Sequence, residues 1–326
     1  MIQKITAAVI GGGNIGAGVA NYSKSVRPGS HADAYRLHED VDLVGIVEIN
    51  EDRREYLQKE YEHVDIFESI EELFKHHQPE IVSIATPSQY HAEHLFQIVP
   101  YKPKVILCEK PLAYSIEDGE KMVQLCKEKG IQLFVNHQRH FDPLLQEWAG
   151  KVKNGLLGEL YQGHAYYYNG FFNNGTHLID IMRVFCGEVK SVSARYNEKT
   201  SSNPDDKNID ADLLFENGLR LSMHSLSKNY GHFGFTIFGE KGMISMSNLG
   251  FEVQYREKIN SEHFPGFFEL NKEIERDGEP RSMISSSIDH VISYIKDGIA
   301  PYGTGEDALA VLKILEESKL SADDKE

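Results

Sequence analysis

Ile5-Thr6-Ala7-Ala8-Val9-Ile10-Gly11-Gly12-Gly13-Asn14-Ile15-Gly16 decides the fold of this chain. Ile5–Ile10 is a short apolar run that stops at glycine, the pattern of a strand buried on both faces. Gly11, Gly13 and Gly16 then match G-x-G-x-x-G. The first glycine permits a tight turn and the second lets backbone approach a pyrophosphate. The third lets a helix pack close on the strand, and Asn14 and Ile15 fall in the first turn of that helix, whose N-terminus meets the negative charge. A glycine-rich turn alone is weak evidence; its place between a strand and an amphipathic run makes it informative.

Working outward, Leu43–Val47, Ile81–Ala85, Val105–Leu107 and Ile131–Val135 repeat the short apolar run. Helical patterns at Glu51–Tyr61, Ile70–His76 and Ile116–Lys129 separate them, which implies a parallel sheet wound on both faces. The reading is α/β: a Rossmann domain over residues 1–135, then a substrate and oligomerisation domain over 136–326. The second half carries helices at Leu144–Lys153 and Thr176–Phe185 and several strands. Glu216-Asn217-Gly218 and Gly239-Glu240-Lys241-Gly242 read as hairpin turns, so that sheet should be large, open and mostly antiparallel. Two helices near Ser282–Lys296 and Gly305–Ser318 close the chain, and Ala322–Glu326 reads as a frayed tail.

Glu48 ends the second strand, where an acid bonds ribose hydroxyls. It stands 32 residues after Gly16, against a usual spacing of about 20; an insertion around Asn21–Ser30 accounts for the excess. A carboxylate here disfavours a 2′-phosphate, so NAD is expected as cofactor; Arg53 and Arg54 nearby keep NADP open.

Lys and Arg total 34 against 50 Asp and Glu, a net charge of −16. So acidic a chain repels nucleic-acid phosphate and anionic membrane, and neither is an expected partner. Cys108, Cys126 and Cys186 are the only cysteines, odd in number and without C-x-x-C. No disulfide framework or thiolate zinc site is expected, which suits the cytoplasm. His91 with His94, and His137 with His140, lack a third ligand of clear spacing, so no metal is expected. Ile5–Ala20 is broken by glycines and Asn14 and does not read as a signal peptide.

Three further stretches carry a family resemblance. Thr86-Pro87-Ser88-Gln89-Tyr90-His91 follows the Ile81–Ala85 strand, Glu109-Lys110-Pro111 follows Val105–Leu107, and Asn173-Asn174-Gly175-Thr176-His177 opens a helix. In this order, after the glycine motif, they resemble the Gfo/Idh/MocA family of nicotinamide-dependent oxidoreductases. The resemblance implies hydride transfer between a secondary hydroxyl of a sugar, sugar derivative or nucleotide sugar and the nicotinamide. It implies Lys110 and His177 as catalytic residues, with Thr86, Pro87, His91 and Glu109 beside the cofactor and Arg139, Tyr168 and Asn173 beside the substrate. A histidine with an unperturbed pKa of about 6.5 suits proton transfer at neutral pH. Members pair as dimers or tetramers through the open sheet, and Phe233, Phe235, Ile237 and Phe238 read as an exposed face for such a homo-oligomer.

The chain departs from the family pattern at two points. Asn173 stands where many sugar dehydrogenases have Asp, so an Asp–His relay is absent; an amide orients or bonds a hydroxyl but exchanges no proton. His140 stands where an Arg is common, with Arg139 one place earlier. Two alternatives stay open: an NAD-dependent glycosidase that oxidises C3 transiently, and a non-catalytic NAD or sugar sensor.

Overall fold

The computed structural model describes residues 4–18, 24–272 and 274–325. The Cα packing divides the chain into two compact units, residues 1–141 with 281–312, and residues 142–280 with 313–326.

The first unit holds strands β1 (Ile5–Ile10), β2 (Val41–Val47), β3 (Asp65–Phe67), β4 (Ile81–Ile84), β5 (Val105–Cys108) and β6 (Gln132–Val135). They form a parallel six-stranded sheet in the order β3-β2-β1-β4-β5-β6. The order reverses between β1 and β4, which makes that edge the place where open α/β sheets bind ligands. Helices α1 (Asn14–Ala17), α2 (His31–Leu37), α3 (Glu51–Glu60), α4 (Ile70–His76), α5 (His91–Ile98) and α6 (Ile116–Lys129) alternate with the strands. Their starts are written locally: Ser30, Asn50, Ser69 and Ser115 each accept a backbone N–H three residues on, a cap that contributes about 1 kcal/mol. Strands β4 and β5 are buried along their whole length, as expected where helices cover both faces.

The second unit holds α7 (Pro143–Lys153), β7 (Leu160–Tyr168), α8 (Thr176–Cys186), β8 (Val189–Tyr196), β9 (Ile209–Phe215), β10 (Arg220–Leu226), β11 (Gly234–Gly239), β12 (Gly242–Ser247), β13 (Glu252–Asn260), β14 (Phe268–Leu270) and β15 (Glu275–Asp277). These strands build a nine-stranded sheet, antiparallel except where β10 runs parallel to β7. Helix α9 (Met283–Asp297) belongs to the first unit, and α10 (Gly305–Asp323) crosses from residue 312 of one to 313 of the other. The sequence-based division at residue 136 placed 281–312 with the second half. The packing groups it with the first, because Ile284, Ile288, Val291 and Ile292 of α9 enter the core formed with Tyr35, Phe134 and Phe141.

Two readings are corrected. Phe233, Phe235 and Ile237 are buried rather than exposed, and only Phe238 is half-exposed. Period-2 alternation puts the first three on one face, and that face packs inward, with the Phe235 ring 5.0 Å from Phe185 of α8. The chain end is not frayed up to Lys325: α10 continues to Asp323, Tyr196 donates to Asp323 at 2.7 Å, and Lys325 Nζ reaches Ser193 Oγ at 2.7 Å. In the expected insertion, Asn21, Tyr22 and Ser23 lie outside the described residues; Lys24–Val26 form a short 3₁₀ turn before Ser30 caps α2.

His290 of α9 gives the first unit an acid sensitivity. Its ring lies 3.7 Å from Tyr302 and 5.5 Å from both Phe134 and Phe141. Burial, with His140 nearby, pushes its pKa down to about 4. The unfolded chain takes up this proton near its ordinary pKa of about 6.5, while the folded chain refuses it until about pH 4. Stability should therefore be unaffected by this group at neutral pH and fall across that window on acidification. His290→Phe is expected to flatten the fall in Tm between the two pH values; an unchanged slope would contradict it.

Candidate active site

At the C-terminal edge of the first unit's sheet, the glycine loop is shaped by contacts that exclude side chains. Gly11 has φ +102°, and a Cβ there would lie 2.8 Å from Ala85 O; at Gly16 one would lie 1.8 Å from Gly11 O. These are the tight turn and the close helix–strand approach. Gly13 is different: it is exposed, and a Cβ would meet nothing within 4 Å. Its backbone offers open approach, beside the N–H groups of Asn14 and Ile15 at the start of α1.

Glu48, at the end of β2, turns its carboxylate to this loop. Its Oε2 accepts Gly12 N–H and its Oε1 accepts Asn50 N–H, both at 2.9 Å. A carboxylate has about four acceptor sites, so capacity remains for two ribose hydroxyls. Arg53 and Arg54 are turned to backbone carbonyls: Arg53 Nε to Gly12 O at 2.8 Å, Arg54 Nη1 to Ile49 O at 2.7 Å. Open backbone, an acid at the second strand and engaged arginines fit a dinucleotide with a free 2′-hydroxyl.

Past β4, Thr86 is half-buried with Oγ1 2.9 Å from His94 Nδ1, and Pro87 is exposed at the turn. His91, expected beside the cofactor, stands at the start of α5. It is fully buried, with Nδ1 2.9 Å from Pro111 O and Nε2 3.0 Å from Thr86 O. Both ring nitrogens face carbonyls, so His91 ties the loop after β4 to the one after β5. Burial holds its pKa below the ordinary histidine value.

Glu109-Lys110-Pro111 follows β5. Lys110 is half-buried, but Glu109 is buried. Its Oε1 accepts from His31 Nε2 at 2.9 Å and from Asn136 Nδ2 at 2.6 Å. Burial alone would raise this carboxyl's pKa; His31, Asn136 and the Lys110 charge outweigh burial and hold it below the usual range. His31, Asn136, Ser83 and Ser287 were not singled out as sequence candidates. The available signals were a serine inside the apolar run Ile81–Ile84 and a histidine directly after a helix cap. Arg139 lies in the 3₁₀ turn Gln138–Phe141, half-buried, and His140 stacks at 5.8 Å on Tyr302.

In the second unit, Tyr168 ends β7 and shares a face with Tyr166, while Ala165 and Tyr167 point into the core. Gly170, at φ +95°, opens a π-turn over Phe171–Gly175 that runs into α8. Asp206 fastens this turn: Oδ1 accepts Phe172 N–H at 2.9 Å and Oδ2 accepts Asn173 N–H at 3.0 Å. Asn208 accepts Gly170 N–H at 2.9 Å, and the Asn173 amide donates to Asn169 O at 3.0 Å. His177 is buried in the first turn of α8. Asp206→Ala should leave two amides without their acceptor and speed hydrogen exchange at Phe172 and Asn173 about tenfold or more. Unchanged exchange would show that the turn holds itself.

Among the described residues no group of three or more His, Cys, Asp or Glu could hold a metal ion. All three cysteines are buried thiols, and burial raises the pKa of Cys108 well above the ordinary thiol value.

Residues 5–137 match a family model described as the oxidoreductase family with an NAD-binding Rossmann fold, GFO_IDH_MocA. Residues 161–245 match the C-terminal domain model of the same family. A 1-carboxy-3-chloro-3,4-dihydroxycyclohexa-1,5-diene dehydrogenase of Comamonas testosteroni is 27% identical over 184 residues, covering 50% of this chain and 46% of that one. D-glucoside 3-dehydrogenase of Escherichia coli is 25% identical over 190 residues, 52% of this chain and 54% of that one. The matched segments thus span about half the length of these curated relatives. Among solved structures, the WlbA dehydrogenase of Bordetella pertussis, in complex with NADH and UDP-GlcNAcA, superposes with TM-score 0.79 at 21% identity. The match covers 99% of this chain and 98% of that one.

Proposed function

We propose that this chain, which belongs to the Gfo/Idh/MocA family of oxidoreductases, uses NAD to oxidise a secondary hydroxyl of a sugar, sugar derivative or nucleotide sugar. One observation carries the reading. The glycine loop after β1, Glu48 after β2, and Glu109-Lys110 after β5 all lie at the C-terminal edge of one parallel sheet, where its strand order reverses. The names of relatives support the substrate class: one is a D-glucoside 3-dehydrogenase, and one was solved with a nucleotide sugar.

Bound NAD supplies the hydride acceptor. The loop N–H groups of Gly13, Asn14 and Ile15 bind its phosphates, and Glu48 bonds its ribose. Lys110 donates a hydrogen bond to the reacting oxygen and stabilises the charge that grows there. His177 takes the hydroxyl proton on its imidazole. Asn173 keeps hydrogen-bonding capacity where it cannot exchange a proton, and Arg139 and Tyr168 contribute to sugar binding.

The working form is a homodimer or homotetramer joined through the outward face of the nine-stranded sheet. That face presents His164, Tyr166, His224 and Phe238, half-exposed, in place of the buried phenylalanines. No helix among the described residues is long and apolar enough to cross a membrane, and the cytoplasm is the proposed location. The reading is tested by incubating the protein with NAD or NADP and a panel of free sugars, polyols and nucleotide sugars. NADH absorbance should rise with one class; nucleotide and ligand bound together without chemistry would favour a sensor instead.

A further inference from the structure

The first N–H groups of a helical segment have no partner within it, and a Ser, Thr, Asp or Asn just before the segment usually supplies one. The π-turn over Phe171–Gly175 and helix α8 are entered through Gly170 and Gly175, which have no side chain to offer. The cap comes instead from the loop over 197–208, between β8 and β9. Asp206 spreads its carboxylate over two successive amides, Oδ1 on Phe172 N–H at 2.9 Å and Oδ2 on Asn173 N–H at 3.0 Å. The later amides are met within the turn: Gly170 O accepts Asn174 N–H at 2.9 Å and Gly175 N–H at 3.1 Å, and Phe171 O accepts Thr176 N–H. What the loop supplies is therefore centred on residues 172 and 173.

The loop is itself held. Asn208 is buried; its Nδ2 donates to Thr200 O at 3.0 Å and its backbone N–H to Ser201 Oγ at 2.8 Å. Its Oδ1 accepts Gly170 N–H at 2.9 Å. Directly after it, Tyr167 OH accepts Ile209 N–H at 2.7 Å and donates to Ile209 O at 2.8 Å, which ties the loop's end to β7. The turn is shaped to receive the carboxylate. Gly170 stands at φ +95°, and a Cβ there would collide with Asp206 Oδ2, so only glycine fits opposite this acid. Asn173 is thus fixed twice: Asp206 holds its backbone N–H, and its side-chain amide donates to Asn169 O at 3.0 Å.

We propose that Asp206 is a positioning residue for Asn173: by capping the turn from a separate loop, it sets where the Asn173 side chain is held for the substrate. The proposal deepens the reading of Asn173 as a substrate-binding residue and rests on it for its functional meaning. In this role Asp206 acts through the turn and not on the sugar. A group displaced by about 1 Å loses much of what it contributes, and a turn without its cap has no fixed place for residue 173. His177 is the internal control. It stands in α8, whose first amides take carbonyls of the turn, so the loss of Asp206 should reach it less than Asn173.

The test has two arms. The first follows the side-chain amide signals of Asn173 and the imidazole signals of His177 by NMR in the full chain, assigned with Asn173→Ala and His177→Gln. It needs no substrate, so a failed dehydrogenase reading leaves it intact. Asp206→Ala should shift the Asn173 signals and largely spare those of His177. Asp206→Asn keeps one acceptor oxygen and should shift the Asn173 signals less; if Asp206→Ala does not fold, this variant decides. Parental Asn173 signals in a folded Asp206 variant overturn the proposal, and so does a shift at His177 as large as that at Asn173. The second arm is a double-mutant cycle on turnover. Asp206→Ala is expected to raise the substrate KM about tenfold, the value of one hydrogen bond, with kcat lowered less and NAD affinity parental. In a chain that already carries Asn173→Ala, the same substitution should change KM less than about twofold. Equal increases in the two backgrounds would show that Asp206 does not act through Asn173.

Discussion

Lys110→Ala is expected to lower kcat/KM by about 10²–10⁴-fold while NAD binds with nearly parental affinity. The cofactor is held by other groups: the backbone of Gly13, Asn14 and Ile15, and Glu48, which is anchored by Gly12 N–H at 2.9 Å. None of these is touched by truncating a side chain past β5. The reacting oxygen, by contrast, loses a charged donor in a half-buried setting, where a growing charge is screened less than in open water. Lys110→Arg would not restore activity, because the planar guanidinium presents its donors in another geometry. NAD titration and initial rates on the same preparations separate the two effects. Full turnover in Lys110→Ala would remove the assigned chemistry; equal losses in binding and rate would mean that the lysine serves the cofactor.

Gly16→Ala should have the largest effect on the first unit. The added Cβ would stand 1.8 Å from Gly11 O, a backbone atom that cannot swing aside. Gly11 is fixed in turn by its φ of +102° and by Ala85 O, 2.8 Å from where its own Cβ would be. Relief therefore requires moving α1 off β1, at a cost of about 3 kcal/mol or more, together with loss of NAD binding. Gly13→Ala is the control. Open space surrounds that Cβ position, so stability should hold within about 0.5 kcal/mol. NAD affinity should still fall, because the backbone at that point must approach the pyrophosphate. Equal stability losses in the two variants would contradict the distinction between packing and binding.

The parts of this molecule that were legible in its sequence are those written over short distances. The apolar run Ile5–Ile10 and the glycines after it, the Glu216–Gly218 turn and the Gly239–Gly242 turn each depend on neighbours a few residues away. The brace on Glu109 depends on residues 78, 27 and, through Asn136, a further 151 positions distant. No periodicity joins them; only the folded sheet brings α2, β4, β5, β6 and α9 to one carboxylate. The sheet face misread at Phe233, Phe235 and Ile237 shows a different limit. Alternation groups residues by side, but which side meets α8 is settled by the rest of the unit. His91 stands in a strand-end motif, and that its ring lies between the carbonyls of Thr86 and Pro111 shows only once the two loops are folded together.

If hydride passes from a sugar carbon to the nicotinamide, an isotope placed on that carbon must travel with it. The protein would be incubated with NAD and substrate deuterated at its ring carbons, and the nucleotide recovered and weighed by mass spectrometry. Net NADH one deuteron heavier than the unlabelled product is expected from the parent chain and, over the same time, not from Lys110→Ala. Cleavage of a glycoside with no net NADH, the label returning to the sugar, would contradict it and identify the chain as an NAD-dependent glycosidase.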